Sequence, residues 1–141
     1  TRWERASAKA NTSSPVLSCK MILVDTSIWI DHLRSGDTRL ADLLVQSQVL
    51  AHPFIVGELA CGNLHNRDEI LKLLNDLPQS PIATPAEALN FIESHQLMGL
   101  GVGYIDIHLL AATALAENAR LWTGDKRLKK VTSEMKLAFD E

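Results

Sequence analysis

The chain has 141 residues and a mass of 15.6 kDa, which suits one domain with a sizeable core and is too short for two. Apolar residues make up 46% and charged residues 22%, which excludes a disordered chain, and no apolar run approaches the ~20 residues of a membrane span. The net charge of −3 argues against binding to duplex DNA by charge alone, although an acidic protein can act on nucleic acid through a cation.

The first twenty residues differ in composition from the rest. They are rich in Ser and Thr, lack an apolar period and carry four basic residues against one acid, so they are net +3 and residues 21–141 are net −6. Because Met21 begins the first strong strand pattern, we expect it to be the natural start. Residues 1–20 would then be a flexible tail or extension and residues 21–141 the folded domain, unless the tail is an arm that binds a partner.

From Met21 onward, short apolar runs alternate with helical patterns. The predicted strands are 21–24, 49–51, 81–83, 120–123 and 136–139. The predicted helices are 27–33, 37–45, 53–61, 68–77, 85–97, 105–118 and 125–130, with Thr26 or Ser27 capping the first. Strands that alternate with helices pair in parallel, so the pattern predicts an α/β fold with a mostly parallel central sheet of four to five strands and helices on both faces.

Four carboxylates stand at the ends or on the faces of these elements. Asp25 follows the first strand, Glu58 lies among apolar neighbours on a helix, Asp106 opens the most apolar helix, and Asp125 follows the strand 120–123. Ligands bind at the carboxyl edge of parallel sheets, so these acids could converge on one pocket. Clustered carboxylates repel one another, and a hard divalent cation such as Mg²⁺ or Mn²⁺ relieves that repulsion.

Each acid also has a plainer interpretation. Asp106 and Asp125 could be helix caps, and Glu58 could lie on an exposed helix face. Asp25 is the hardest to explain without a ligand, because a charge at the end of a buried strand needs solvent or a cation. The hydroxyls of Thr26, Ser27 and Thr123 lie beside these acids in sequence and could orient a carboxylate or hold a metal-bound water.

Such a site suits phosphodiester hydrolysis, in which a metal neutralises a phosphate oxygen and lowers the pKa of an attacking water. Two other functions remain open. Asp25 could be the nucleophile of a phosphotransfer or phosphatase module, although aspartyl phosphatases carry a second Asp two residues on, where this chain has Ser27. The domain could also be a non-catalytic interaction module, which would be expected to lack one of the four acids.

Four successive motifs resemble those of a PIN domain. They are Val24-Asp25-Thr26-Ser27, Gly57-Glu58-Leu59, Tyr104-Ile105-Asp106-Ile107-His108-Leu109-Leu110-Ala111-Ala112 and Thr123-Gly124-Asp125-Lys126-Arg127-Leu128. They resemble most closely the VapC-type toxins of bacterial VapBC toxin–antitoxin pairs, from Met21 to about residue 139.

The resemblance implies a Rossmann-like PIN fold and an endoribonuclease that depends on Mg²⁺ or Mn²⁺. It implies that Asp25, Glu58, Asp106 and Asp125 form the catalytic and metal-binding acid cluster, with Thr123 in support. It also implies a homodimer, an RNA substrate and a cognate antitoxin protein that blocks the pocket.

The remaining polar residues give weaker signals. Lys126 and Arg127, in the basic run 126–130, could contact the RNA backbone beside the metal or simply form a solvated helix end, and Arg34 is a further RNA-binding candidate. His108 stands where the family commonly has a small or apolar residue, and we expect it in the core.

Tryptophans and cysteines complete the set. Trp29 and Trp122 could stack on bases of single-stranded RNA. Because Trp122 ends a buried strand we expect it in the core, and Trp29 could serve a dimer or antitoxin surface. Two cysteines are too few for a disulfide framework, so the protein is expected to be cytoplasmic. Cys61 lies within an apolar helix and is expected to be a small core residue.

Overall fold

Three parallel strands form the sheet in the part of the chain that the computed structural model describes, residues 20–139. The strands are β1 (Met21–Val24), β2 (Val49–Leu50) and β3 (Ala119–Trp122), in the spatial order β2-β1-β3. Ile22 of β1 pairs with Val49 on one side and with Arg120 on the other. The first strand is therefore central, and its carboxyl end lies between two neighbours.

The prediction of four to five strands was wrong for these residues. The outer segments make only single parallel bridges, Ala51 to Gln79 and Leu121 to Ala138, and neither continues into a ladder. On the first side Pro81 has no N–H to donate, so pairing stops directly after Ser80. On the other side the chain turns at residue 136 with a positive φ, which leaves a short overlap with β3 before β3 ends.

Seven helices flank the sheet within residues 20–139, in the order in which the sequence predicts them. They are α1 (Thr26–Ser35), α2 (Thr38–Val45), α3 (Pro53–Cys61), α4 (Arg67–Asp76), α5 (Pro85–His95), α6 (Tyr104–Leu115) and α7 (Lys126–Glu134). The cap of α1 is Asp25 and not Thr26 or Ser27, because its carboxylate accepts the first free N–H of the helix. None of the helices is long and apolar enough to cross a bilayer.

The core includes all three strands and the strongly apolar helix α6, which packs against β3. Ile22, Leu23 and Val24 are buried, as are all residues from Ile107 to Thr113. Trp122 is buried as predicted.

Two side chains lie elsewhere than the sequence suggests. Trp29 is only 1% exposed, because α1 packs its ring inward, so it offers no docking surface for a partner. Cys61 is exposed, because it is the last residue of α3 and its position on the helix faces away from the core. The predicted tail lies outside the described residues except for Lys20, whose carbonyl accepts a hydrogen bond from the Gln48 amide.

Candidate active site

Asp25 occupies the end of the central strand and is only 8% exposed. Its backbone N–H donates to the Trp122 carbonyl, which extends the β1–β3 pairing by one bond. Carboxylate oxygen Oδ1 accepts the backbone N–H of Thr26 at 2.8 Å. Oxygen Oδ2 accepts the Thr123 hydroxyl at 2.7 Å and the Ser27 hydroxyl at 3.3 Å. A buried anion is thus held by three donors from two elements.

The two supporting hydroxyls also tie the ends of β1 and β3 together. Thr123 Oγ1, while donating to Asp25, accepts the backbone N–H of Asp125 at 3.1 Å. Ser27 Oγ, while donating to the same oxygen, accepts the backbone N–H of Gly124 at 3.1 Å. The segment 123–125 is therefore fixed directly against Asp25.

Glu58 projects from α3 towards the same edge and is exposed. Its Oε1 accepts the Thr26 hydroxyl at 3.3 Å. Partial burial raises the pKa of Glu58; the Thr26 hydrogen bond opposes this, and the charges of Asp25 and Asp106 raise the pKa further. Three acids from separate elements therefore lie close enough for their charges to interact.

Asp106 lies in the first turn of α6, where its Oδ2 accepts the backbone N–H of Gly103 at 3.2 Å. Partial burial raises the pKa of Asp106, the Gly103 hydrogen bond opposes the rise, and Asp25 and Asp125 add to it through like charge. The charges of Asp25, after β1, and Asp125, after β3, therefore both raise the pKa of Asp106.

Asp125 is the N-cap of α7. Its Oδ1 accepts the backbone N–H groups of Arg127 at 2.9 Å and Leu128 at 3.0 Å. The capping interpretation therefore holds for Asp125, whereas Asp106 is the third residue of α6 and accepts the N–H of the N-cap, Gly103. The charge of Asp125 still acts on Asp106. We call the four residues the acid cluster: Asp25, Glu58, Asp106 and Asp125.

The acid cluster offers the donors that hard divalent cations prefer. All its ligand atoms are oxygens, and no described residue forms an ion pair with any of the four carboxylates. Among residues 20–139 no group of three or more His, Cys, Asp or Glu side chains is arranged to hold a metal ion as it stands. Mg²⁺ commonly takes one or two carboxylates and completes its shell with water and phosphate, so the donor chemistry and the uncompensated charge fit it.

The basic candidates differ in their relation to the acid cluster. Lys126 and Arg127 open α7 directly after Asp125, and both are exposed. The Arg127 side chain lies against the backbone of Gly101, in the loop before α6. Arg34 is exposed in the last turn of α1, roughly 13 Å along the helix axis from Asp25.

His108 is buried as predicted, but it is not a fully hydrogen-bonded core residue. Its Nδ1 and the Nε2 of the buried His52 have no hydrogen-bond partner among the described residues. The Phe54 ring packs edge-on against both imidazoles. Burial, and secondarily the nearby His108, lower the pKa of His52 to about 4, so His52 is neutral at physiological pH.

Sequence reasoning missed two glycines of the loop 96–103. Gly103 donates to Asp106 and Gly101 contacts Arg127. The spacing of three residues between Gly103 and Asp106 is that of a reciprocal helix cap and could have been noticed. The Gly101 contact joins residues far apart in sequence and leaves no local signal.

A model of the PIN-domain family matches residues 22–134, a range that includes the whole acid cluster. The chain belongs to the PIN-domain family, as the four motifs predict. It is 46% identical over 121 residues to proteins named Ribonuclease VapC32 from Mycobacterium tuberculosis, strains CDC 1551 / Oshkosh and ATCC 25618 / H37Rv. That match covers 86% of this chain and 98% of each relative, which makes the chain a VapC homologue.

Proposed function

We propose that this protein is a divalent-metal-dependent endoribonuclease and the toxin of a toxin–antitoxin pair. The observation that carries the proposal is the acid cluster itself, in which like charges act on Glu58 and Asp106, at the carboxyl edge of a parallel sheet in a PIN-domain chain. Similarity to a protein named as a ribonuclease supports RNA as the substrate.

The chemistry that Mg²⁺ or Mn²⁺ would supply here is Lewis-acid activation of a phosphate oxygen and of an attacking water. Asp25, Glu58, Asp106 and Asp125 would hold the cation. Asp106 and Asp125 each use one carboxylate oxygen in a helix cap, which leaves the other oxygen for the cation. Thr123 and Ser27 fix the plane of the Asp25 carboxylate, and Thr26 restrains Glu58. Lys126 and Arg127 would neutralise neighbouring phosphates of the bound RNA.

The proposal includes three further features. A cognate antitoxin would cover the acid cluster, the protein would be a homodimer, and both would act in the cytoplasm where RNA is found. Exposed apolar side chains in 98–105, namely Met98, Leu100, Tyr104 and Ile105, are compatible with burial against a second copy. Light scattering of the purified protein checks the dimer.

The decisive experiment compares cleavage of labelled RNA by the wild type, Asp25→Asn and Asp106→Asn, with Mg²⁺ or Mn²⁺ and with EDTA. Asp76→Asn is the matched control, because it removes the same charge from an exposed position in the last turn of α4. We expect metal-dependent cleavage by the wild type and the control, and loss of cleavage by several orders of magnitude in the two cluster variants.

Cleavage that persists in EDTA, or equal cleavage by the cluster variants, would refute the nuclease proposal. Induced expression in a bacterial host tests the toxin role separately. The wild type and Asp76→Asn should arrest growth, and Asp25→Asn should not. Growth arrest by Asp25→Asn would contradict a toxin that acts through this site.

A further inference from the structure

The loop 96–103 between α5 and α6 passes directly beneath the side chain of Arg127. Gly101 adopts a φ of +79°, and a Cβ at that position would lie 2.9 Å from both Cδ and Nη1 of Arg127 and 3.3 Å from Cζ. Real Cβ atoms do not approach other atoms this closely. The guanidinium can therefore occupy its position only because residue 101 has no side chain.

The backbone and the side chain of Arg127 each contact a segment that carries a residue of the acid cluster. Its backbone N–H donates to Asp125, and the loop on which its side chain rests ends at Gly103, which donates to Asp106. Within residues 20–139 its guanidinium makes no hydrogen bond or ion pair with any carboxylate. The exposed guanidinium therefore keeps its charge for another anion.

We propose that Gly101 is a positioning residue for RNA binding, because its bare backbone lets the Arg127 guanidinium rest against the loop that leads to Asp106, where it can bind a phosphate adjacent to the scissile one. The inference rests on the proposed function for the identity of the anion. A guanidinium binds phosphate through two parallel hydrogen bonds, so its orientation matters as well as its charge. Contact with the loop restricts an otherwise flexible exposed side chain and lowers the entropy lost on binding.

A Cβ at residue 101 meets only the flexible outer part of the Arg127 side chain, apart from the effect of the positive φ. The Gly101→Ala variant therefore displaces the guanidinium. Gly99→Ala is a close control: Gly99 lies in the same loop with a φ of +73°, and nothing lies within 4 Å of its Cβ position. Both substitutions impose similar backbone strain, and only one reaches Arg127.

The test measures binding of a fluorescein-labelled single-stranded RNA of mixed sequence, in EDTA so that no cleavage occurs, over a series of salt concentrations. Wild type, Gly99→Ala, Gly101→Ala, Arg127→Ala, Arg127→Lys and the double variant Gly101→Ala/Arg127→Ala are compared at equal folded fraction, checked by thermal unfolding.

We expect Arg127→Ala to raise the Kd about 3- to 10-fold and to reduce the slope of log K against log salt by ~0.7, the loss of one phosphate contact on a single strand. Gly101→Ala should raise the Kd by a comparable factor and Gly99→Ala should not. Gly101→Ala should add nothing in the Arg127→Ala background, and Arg127→Lys should keep the salt slope while weakening binding.

Equal Kd values for Gly101→Ala and Gly99→Ala would overturn the inference. So would a double variant whose Kd rises by the product of the two single effects. Neither result bears on the nuclease proposal. Conversely, a wild type that binds RNA through Arg127 and Gly101 but cleaves none refutes the nuclease proposal and supports the positioning role. A wild type that binds no RNA in EDTA overturns the positioning role and leaves the nuclease proposal to the cleavage assay with Mg²⁺ or Mn²⁺.

Discussion

The shortest hydrogen bond to the central acid gives the sharpest test of how the site is built. Thr123 Oγ1 donates to Asp25 Oδ2 at 2.7 Å and accepts the Asp125 N–H at 3.1 Å. Thr123→Val keeps the shape of the side chain and removes both functions. Asp25 then retains the Thr26 N–H and the longer bond from Ser27.

The expected cost follows from the charge and burial of Asp25. A hydrogen bond to a charged group contributes about 1.5–3 kcal/mol, and water cannot readily replace the lost donor because the residue is 8% exposed. We expect Thr123→Val to lower the free energy of unfolding by about 2 kcal/mol. Loss of the group that orients a metal ligand typically weakens metal affinity or activity about 10–100-fold.

Urea unfolding in EDTA measures the first effect, and the Mg²⁺ concentration that gives half-maximal cleavage measures the second. Thr113→Val is the matched control. Thr113 is equally buried, but its hydroxyl donates only to the Leu109 carbonyl, which already belongs to the ladder of α6. If Thr123→Val and Thr113→Val change stability and Mg²⁺ dependence equally, the Thr123–Asp25 bond has no special role.

Three further predictions concern the scaffold, each read from urea or thermal unfolding. Gly57→Ala should stabilise α3 by about 0.5–1 kcal/mol, because nothing lies within 4 Å of its Cβ position; a loss would mean that the helix is strained there. Thr84→Ala should cost about 1 kcal/mol through loss of the capping box of α5, and an unchanged midpoint would contradict it. Burial lowers the pKa of His52 to about 4, so below pH 6.5 the unfolded chain binds a proton that the folded chain does not. The free energy of unfolding should therefore fall by up to about 3 kcal/mol as the pH drops from 6.5 to 4. His52→Asn keeps an acceptor for the Phe54 N–H and should flatten that fall, and an unchanged pH profile would refute it.

Sequence patterns predicted the parts of the fold that depend on local chemistry. The continuous apolar run before Asp25 predicts a buried strand, and the cap at Asp125 follows from its position at the start of a helical pattern. The outer strands were wrong because ladder formation depends on partners as well as propensity. A single proline and one left-handed residue reduce those segments to bridges.

Side-chain placement was predictable only where periodicity was strong. The pattern of α1 does not distinguish an inward Trp29 from an outward one, and the composition of α3 does not say which way its last residue, Cys61, faces. The contact of Gly101 with Arg127 depends on a positive φ in one segment and on the docking of another. Neither is encoded in the spacing of residues.

Asp25, Asp106 and Asp125 lie at helix N-termini and also belong to the acid cluster, and the two roles support each other. A helix N-terminus stabilises a nearby carboxylate, and Asp25, Asp106 and Asp125 each accept backbone N–H groups at one. At Asp106 the Gly103 hydrogen bond offsets part of the effect of burial and, after it, of the like charges of Asp25 and Asp125, which together raise the pKa of this carboxyl. A carboxyl whose pKa is raised on folding costs stability as pH rises above its ordinary value, because the folded chain then carries the disfavoured charge.

Asp106→Asn separates the two roles, because Asn retains the oxygen that caps α6 and removes the charge. The variant should therefore unfold at a higher temperature than the wild type in EDTA at neutral pH. Mg²⁺ should raise the unfolding temperature of the wild type and not that of the variant, since the cation relieves a repulsion that the variant has already lost. A lower unfolding temperature for Asp106→Asn in EDTA would mean that capping, rather than repulsion, dominates at this residue.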